Sequence, residues 1–198
     1  FYDFIPVSGG VLAVVGDVVG HGLEAALLMA STRSSLRQAA ETITEPGDIL
    51  KAVNRQLCRD TRDSGQFVTC AIMLLDSENR RFCWASAGHP APIRHCRDTN
   101  TFSALSGKDM ALGVEASWEY ATRETEWPNP CESVVLTSDG APDDHDEDGM
   151  FGINRLEASI ARHASASAEV VAKGIVDDVL KHAIDGQVDD DMTLVVVT

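Results

Sequence analysis

The sequence is poor in basic residues, with 16 lysines and arginines against 31 aspartates and glutamates, which gives a formal net charge of −15. A surface with this excess of negative charge repels the phosphates of nucleic acids and of anionic membranes. The composition therefore argues against a nucleic-acid-binding protein.

Long hydrophobic runs and paired cysteines are also missing. No apolar stretch approaches the roughly 20 residues that a membrane-spanning helix needs, so none is predicted. The five cysteines are odd in number and include no Cys-x-x-Cys pair, which argues against a disulfide framework and a zinc knuckle. Reduced thiols in a cytoplasmic protein are the simplest interpretation, with Cys70 and Cys83 expected in the core because they lie in apolar runs.

Several catalytic signatures are absent as well. The chain has no Gly-x-Ser-x-Gly elbow, no phosphate-binding loop that ends in Lys-Ser/Thr and no His-Glu-x-x-His, which excludes α/β-hydrolases, P-loop enzymes and zincin-type proteases. The acidic residues 144–149 resemble the start of a calcium-binding loop. However, Arg155 stands at the twelfth position, where an EF-hand requires a bidentate glutamate.

Secondary-structure patterns are present in blocks and do not alternate as β-α-β units. The length of 198 residues fits one domain, and the blocks predict an α+β fold built on antiparallel sheet. The runs 68–75, 81–86 and 91–95 are expected to form antiparallel hairpins, with His89 in the second turn. The other predicted strands are 11–15, 119–125, 133–137 and 192–197, and the predicted helices are 23–41, 46–59, 154–163 and 168–184.

Acidic residues recur at the ends of apolar strands. Asp17 and Asp139 follow such strands, and Asp189-Asp190-Asp191 precedes the last one. Each motif alone also fits a simple turn, because Asp-Gly is the commonest turn dipeptide. Clustered carboxylates repel unless cations neutralise them, and oxygen ligands favour Mg²⁺ or Mn²⁺. Two such ions can hold a bridging hydroxide for in-line attack on phosphorus, which is the chemistry of phosphoester hydrolysis.

Six motifs in a fixed order carry a family resemblance. They are Phe-Tyr-Asp-Phe at 1–4, Gly-Asp-Val-Val-Gly-His-Gly at 16–22 followed by Ala-Ala-Leu-Leu-Met at 25–29, Phe-Val-Thr at 67–69, Ser-Ala-Gly-His-Pro-Ala-Pro at 86–92, Thr-Ser-Asp-Gly at 137–140 and Asp-Asp-Met-Thr-Leu at 190–194. The chain resembles the metal-dependent, 2C-type serine/threonine phosphatases, and most of all the bacterial branch of sporulation stage II protein E and RsbU regulators.

The resemblance implies a four-layer α-β-β-α sandwich, in which two antiparallel β-sheets are flanked by helices, with two Mn²⁺ or Mg²⁺ ions at one edge. It implies hydrolysis of phosphoserine or phosphothreonine on a regulatory protein, usually an anti-sigma-factor antagonist of the STAS type. Residues 1–198 would form a single phosphatase domain, truncated within its first motif. Such a domain is expected to be the output of a larger signalling protein with an upstream sensor or receiver domain, and a homodimer is a further expectation.

The resemblance also implies roles for individual residues, of which Asp17, Asp139 and Asp190 form the catalytic set. Asp17 would bridge both metal ions, and the backbone carbonyl of Val18 would complete the shell of the second ion. Asp139 and Asp190 would bind the first ion. Asp191, which is adjacent, would share that role or hold a metal-bound water.

Some positions depart from the family pattern. Asp3 matches the second acid of a Gly-Gly-Asp-x-x-Asp motif and is a metal-ligand candidate, but the Gly-Gly-Asp lies upstream of Phe1. Asp143 stands where this branch usually has glutamate, and Val19 where eukaryotic relatives have a candidate general-acid histidine. His21 and His89 are interpreted as structural residues. These departures leave open an alternative, a catalytically weak regulatory binding module that retains the phosphatase fold.

Overall fold

The computed structural model describes residues 1–62, 64–140, 145–146, 149–183 and 191–198. It divides into two compact units, which are taken in turn. The first comprises Phe1–Ala91 with Ser106–Trp127, and the second comprises Pro92–Leu105 with Pro128–Thr198.

The first unit is an antiparallel five-stranded sheet with two helices. The strand order is β1-β2-β3-β4-β7, and both helices contact the sheet. The predicted hairpin between the runs 68–75 and 81–86 is confirmed, since these runs form β3 and β4. The elements are β1 Tyr2–Val7, β2 Gly10–Val18, α1 Leu23–Ala40, α2 Pro46–Asp60, β3 Val68–Asp76, β4 Arg81–Ala87 and β7 Arg123–Thr125.

The helix α2 shows how the sequence specifies this packing. Proline at its first position presets the backbone and needs no hydrogen-bond acceptor there. Ile49, Leu50, Val53 and Leu57 recur at helical spacing, and all four are buried in the core with residues from β2, β3 and β4. Burial of this apolar stripe holds the helix on the sheet.

The second unit is an antiparallel four-stranded sheet in the order β11-β8-β5-β6, also with two helices. Its core is formed by apolar side chains from β5, β8, α3 and α4, including Val135, Leu156, Ile160 and Ile175. The elements are β5 Ile93–Cys96, β6 Thr101–Ala104, β8 Glu132–Thr137, α3 Gly152–His163, α4 Ala168–His182 and β11 Leu194–Val197, with a short hairpin of β9 His145–Asp146 and β10 Gly149–Met150.

One predicted hairpin is wrong. The runs 81–86 and 91–95 do not pair with each other, because β4 belongs to the sheet of the first unit and β5 to that of the second. After β4 the chain is held by a bond from the Gly88 backbone N–H to the Asp109 carbonyl at 2.7 Å and by a bridge between Gly88 and Cys70. The segment around His89 therefore links the two sheets and is not a hairpin turn.

The fold class is confirmed: the described residues form two antiparallel sheets with helices, in an α+β arrangement. The expected burial of Cys70 and Cys83 is confirmed too. Two edge strands, β1 and β6, were not predicted. In β1 the apolar Tyr2 and Phe4 are exposed and Asp3 is buried, which reverses the usual pattern, and β6 has only four residues, most of them exposed. Among the described helices, none combines the length and the apolar character needed to cross a membrane.

Candidate functional site

Asp17 lies near the end of β2, where the chain leaves the first sheet. It is half-buried and stands opposite Thr69 of β3. Directly after β2, the Val19 backbone N–H donates a hydrogen bond to the Phe67 carbonyl at 3.1 Å. A turn then leads into α1, with Gly20 and Gly22 in the left-handed region at φ of 93° and 84°, which glycine adopts without a steric penalty. The sequence thus places a carboxylate on a rigid strand beside a glycine-rich turn.

His89 contacts the strand that pairs with the one carrying Asp17. Its Nδ1 atom is 2.9 Å from the hydroxyl of Thr69, the residue opposite Asp17, and its carbonyl accepts a hydrogen bond from the Ser86 hydroxyl at 3.0 Å. The side chain is only 1% exposed. The interpretation of His89 as a structural residue thus agrees with its burial. We infer that its hydrogen bond orients the Thr69 side chain on β3, the strand that pairs with the Asp17 strand.

Asp3 has a different environment from the one that the sequence predicts. Its carboxylate is 5% exposed and is paired with Arg33 and Arg37 of α1, whose Nε atoms lie 3.0 and 2.6 Å from Oδ2. Arg37 also bonds to Oδ1. Arginine side chains thus contact both carboxylate oxygens of Asp3 and connect β1 to α1. The assignment of Asp3 as a metal ligand stays a prediction.

The pKa of Asp3 reflects this pairing. Burial alone would raise it, but hydrogen bonds from Arg37 and Arg33, together with their charges, hold the pKa below its ordinary value. A carboxyl whose pKa is lower in the folded state stabilises the fold above its unfolded pKa. This stabilisation is lost as the pH falls through the lowered pKa, so it is fully present at neutral pH.

In the second unit, the structure brings two of the predicted acids to the same end of two neighbouring strands. Asp139 follows β8 by two positions, Asp191 precedes β11, and the antiparallel register pairs Thr137 with Leu194. Both aspartates are exposed to solvent. Carboxylates carried by adjacent strand ends offer oxygen donors, the ligand type that suits a hard divalent cation such as Mg²⁺ or Mn²⁺.

Ser138 holds these two acidic segments together, a role that sequence reasoning missed. Its N–H donates to the Thr193 carbonyl at 3.0 Å, and its hydroxyl accepts from the Thr193 N–H at 3.0 Å. The same hydroxyl donates to the Asp191 carbonyl at 3.3 Å. Glycine follows Asp139 for a related reason, because a Cβ on residue 140 would lie 2.7 Å from the Asp191 backbone oxygen.

The predicted metal ligands are thus described in part. Asp17 and Val18 lie at the end of β2 in the first unit, and Asp139 and Asp191 lie together in the second. Asp190, like Asp143, lies outside the described residues. Within the described part of the chain, no group of three or more His, Cys, Asp or Glu side chains converges on one metal position.

A serine substitution tests the clamp. Ser138→Ala is expected to lower the free energy of unfolding by about 1–3 kcal/mol, because the Thr193 N–H and the Asp191 carbonyl lose a buried partner. Urea unfolding measures the change. Ser133→Ala is the matched control, since Ser133 is equally buried on β8 but its hydroxyl finds no hydrogen-bond partner among the described residues. Equal losses in the two variants would show that Ser138 does not act as a clamp.

Comparison with known proteins identifies the family of the chain. The family model described as stage II sporulation protein E matches residues 8–198. The phosphoserine phosphatase RsbU of Bacillus subtilis is 29% identical over 197 residues, and the match covers the whole chain but 58% of the relative. The chain therefore spans less than two thirds of this relative's length.

Solved structures show the same fold. The SiaA PP2C domain of Pseudomonas aeruginosa matches 99% of the chain and 78% of its own, with a TM-score of 0.86 at 22% identity. The RsbU and RsbW domains of Rv1364c from Mycobacterium tuberculosis match 99% of the chain and 53% of their own, with a TM-score of 0.82 at 24% identity. A structure of RsbX in complex with magnesium matches 99% of the chain and 84% of its own, with a TM-score of 0.68 at 14% identity.

Proposed function

The chain belongs to the stage II sporulation protein E family, and from this premise we propose that it is a metal-dependent protein phosphatase acting on phosphoserine or phosphothreonine. The observation that carries the proposal is the placement of Asp139 and Asp191 at one end of β8 and β11, within motifs that match the family in order. A relative that matches the whole chain is itself named a phosphoserine phosphatase.

The proposed metal ligands retain the roles that the resemblance implies. The Asp17 carboxylate would hold both ions, with the Val18 carbonyl on the second, and Asp139, Asp190 and Asp191 would serve the first. Two divalent ions, when bound, activate water and offset the negative charge of a phosphoryl group. The chain contributes the positioning, because strand ends fix the carboxylates and leave them open to solvent. RsbX, a neighbour with the same fold, has been solved with magnesium.

The register of β1 gives further support. The backbone atoms of Phe1 and Gly16 exchange two hydrogen bonds, at 2.8 and 2.9 Å, which continues the pairing of β1 with β2 by one position. An aspartate directly before Phe1, where the family motif Gly-Gly-Asp-x-x-Asp has one, would therefore stand opposite Asp17. This register makes that position a better metal-ligand candidate than Asp3.

We propose that the substrate is a phosphorylated regulatory protein, an anti-sigma-factor antagonist of the STAS type, in the cytoplasm. The chain would act as the output domain of a longer signalling protein with an upstream sensor or receiver domain. The first turns of α1 expose Leu23 and Leu27, at 76% and 63%. An apolar surface beside the turn that follows Asp17 would suit an upstream domain or a second copy of the chain, and a shift of α1 would then alter the geometry at Asp17.

The substrate class is tested with phosphopeptides. In the presence of Mn²⁺, we expect phosphate release from a phosphoserine peptide and little release from a phosphotyrosine peptide of otherwise identical sequence. The alternative, a weak binding module, is favoured by Val19 at the position of the general-acid histidine in eukaryotic relatives. Binding of a phosphorylated STAS protein without phosphate release would support that alternative and contradict the phosphatase proposal.

A further inference from the structure

Two cysteines meet at one end of the second sheet. Cys96 is the last residue of β5, and Cys131 directly precedes β8, the strand that pairs with β5. Their Sγ atoms lie 3.9 Å apart. The backbone fixes the two segments beside each other, because Cys96 is in register with Glu132 and the Arg97 N–H donates to the Cys131 carbonyl at 2.8 Å.

The separation of the sulfurs is compatible with a covalent bond. A disulfide requires an S–S distance of about 2.05 Å, so the two sulfurs need to approach by roughly 2 Å in total. Both cysteines are partly exposed, which gives a small oxidant access to them. Cys70 and Cys83, in contrast, are buried in the core of the first unit.

We propose that Cys96 and Cys131 form a reversible intramolecular disulfide when the protein meets a hydroperoxide. The Cys96 thiol releases its proton to water and its thiolate attacks the peroxide. An S–O bond forms, the O–O bond breaks, and the alkoxide or hydroxide that leaves takes up a proton from water to become an alcohol or water. Cys131 then attacks the sulfenic sulfur. The S–S bond forms, the S–O bond breaks, and the hydroxide leaves as water with the Cys131 proton. Two electrons pass from the sulfurs to the peroxide, and a dithiol reductant reverses the reaction.

The surroundings distinguish the two thiols. Hydrogen bonds from the Thr99 side chain and backbone N–H lower the pKa of Cys96, with smaller contributions from Cys131 and Asp98. Burial raises the pKa of Cys131, and its bond to Cys96 and the charge of Asp98 act in the same direction. Because the thiolate is the reactive form, Cys96 is the attacking group and Cys131 the resolving group.

Peptide mapping of the full chain by mass spectrometry tests the disulfide. After treatment with hydrogen peroxide, we expect most of the protein to yield one peptide pair joined through Cys96 and Cys131, and dithiothreitol should restore both free thiols. Cys58→Ser is the matched control, because Cys58 is also partly exposed but contacts Asn54. This variant should form the disulfide as the wild type does.

A trapping experiment tests the order of the steps. In Cys131→Ser, dimedone should label Cys96 as a sulfenic acid after peroxide treatment, whereas in Cys96→Ser the label on Cys131 should be several-fold weaker. Either of two results in the wild type would overturn the proposal. One is that Cys96 and Cys131 are both alkylated in full after peroxide treatment, and the other is that they are linked to different cysteines. The test is independent of phosphatase activity, since it reads the thiols alone.

Discussion

Asp17→Asn is expected to lower phosphatase turnover by about 10²-fold or more. The substitution keeps the size and polarity of the side chain but removes the charge that, on the proposed assignment, two cations require at once. The fold should survive, because Asp17 is half-buried at a strand end and relief of repulsion between carboxylates costs little. Steady-state kinetics at saturating Mn²⁺, with circular dichroism to check the fold, measures both effects.

Asp76→Asn provides the matched control for this substitution. Asp76 ends β3 at the opposite end of the same strand pair, in register with Gly10, whereas Asp17 faces Thr69. Its carboxylate accepts hydrogen bonds from the backbone and side chain of Asn79, so it serves a turn. This variant should keep turnover near the wild-type value. If Asp17→Asn also retained near-normal turnover, the bridging assignment would be wrong.

Removal of divalent metal should have an effect at least as large. With excess EDTA, turnover is expected to fall by about 10³-fold or more, because the proposed carboxylate ligands carry negative charge and cannot by themselves offset the charge of a phosphoryl group. The circular dichroism spectrum should be unchanged, since apolar side chains form the cores of both units. Full recovery of turnover is expected with excess Mn²⁺ or Mg²⁺.

The metal preference supplies the control for this experiment. The proposed ligands are oxygen atoms, which suit Mn²⁺ and Mg²⁺. After EDTA treatment, these two ions should therefore restore turnover at least as well as Zn²⁺ does at the same free concentration. Recovery with Zn²⁺ but not with Mn²⁺ or Mg²⁺ would contradict the preference expected of this ligand set. Turnover that persists in excess EDTA would contradict the metal mechanism altogether.

Elements with strong hydrophobic periodicity could be predicted from the sequence, and so could the positions of acidic residues that lie in motifs resembling those of the family. The helix α2 follows from its apolar stripe and its proline start, and Asp139 and Asp191 follow from their positions beside apolar strands. These features are local. Hydrophobic periodicity and the end of an apolar run depend on neighbouring residues alone, so they can be identified without knowledge of tertiary contacts.

Features that depend on distant partners could not be predicted in this way. The run 91–95 is indeed a strand over most of its length, but whether it pairs with β4 or β8 is decided by contacts far along the chain. The pairing of Asp3 with Arg33 and Arg37 depends on the packing of α1 against β1, some 30 residues apart in sequence. The Ser138 clamp likewise requires that β8 and β11 be neighbours, although 55 positions separate Ser138 from Thr193.

The most direct test of the central claim is a calorimetric Mn²⁺ titration, with turnover measured on the same samples. It should use the protein with the Gly-Gly-Asp of its first motif present, alongside Asp17→Asn and Asp139→Asn. We predict that the wild-type chain binds two Mn²⁺ ions and that its turnover rises as the second ion binds. Each variant should bind at least one ion fewer and should lose turnover. Unchanged Mn²⁺ binding in both variants would contradict the claim that these strand-end aspartates hold the catalytic metals.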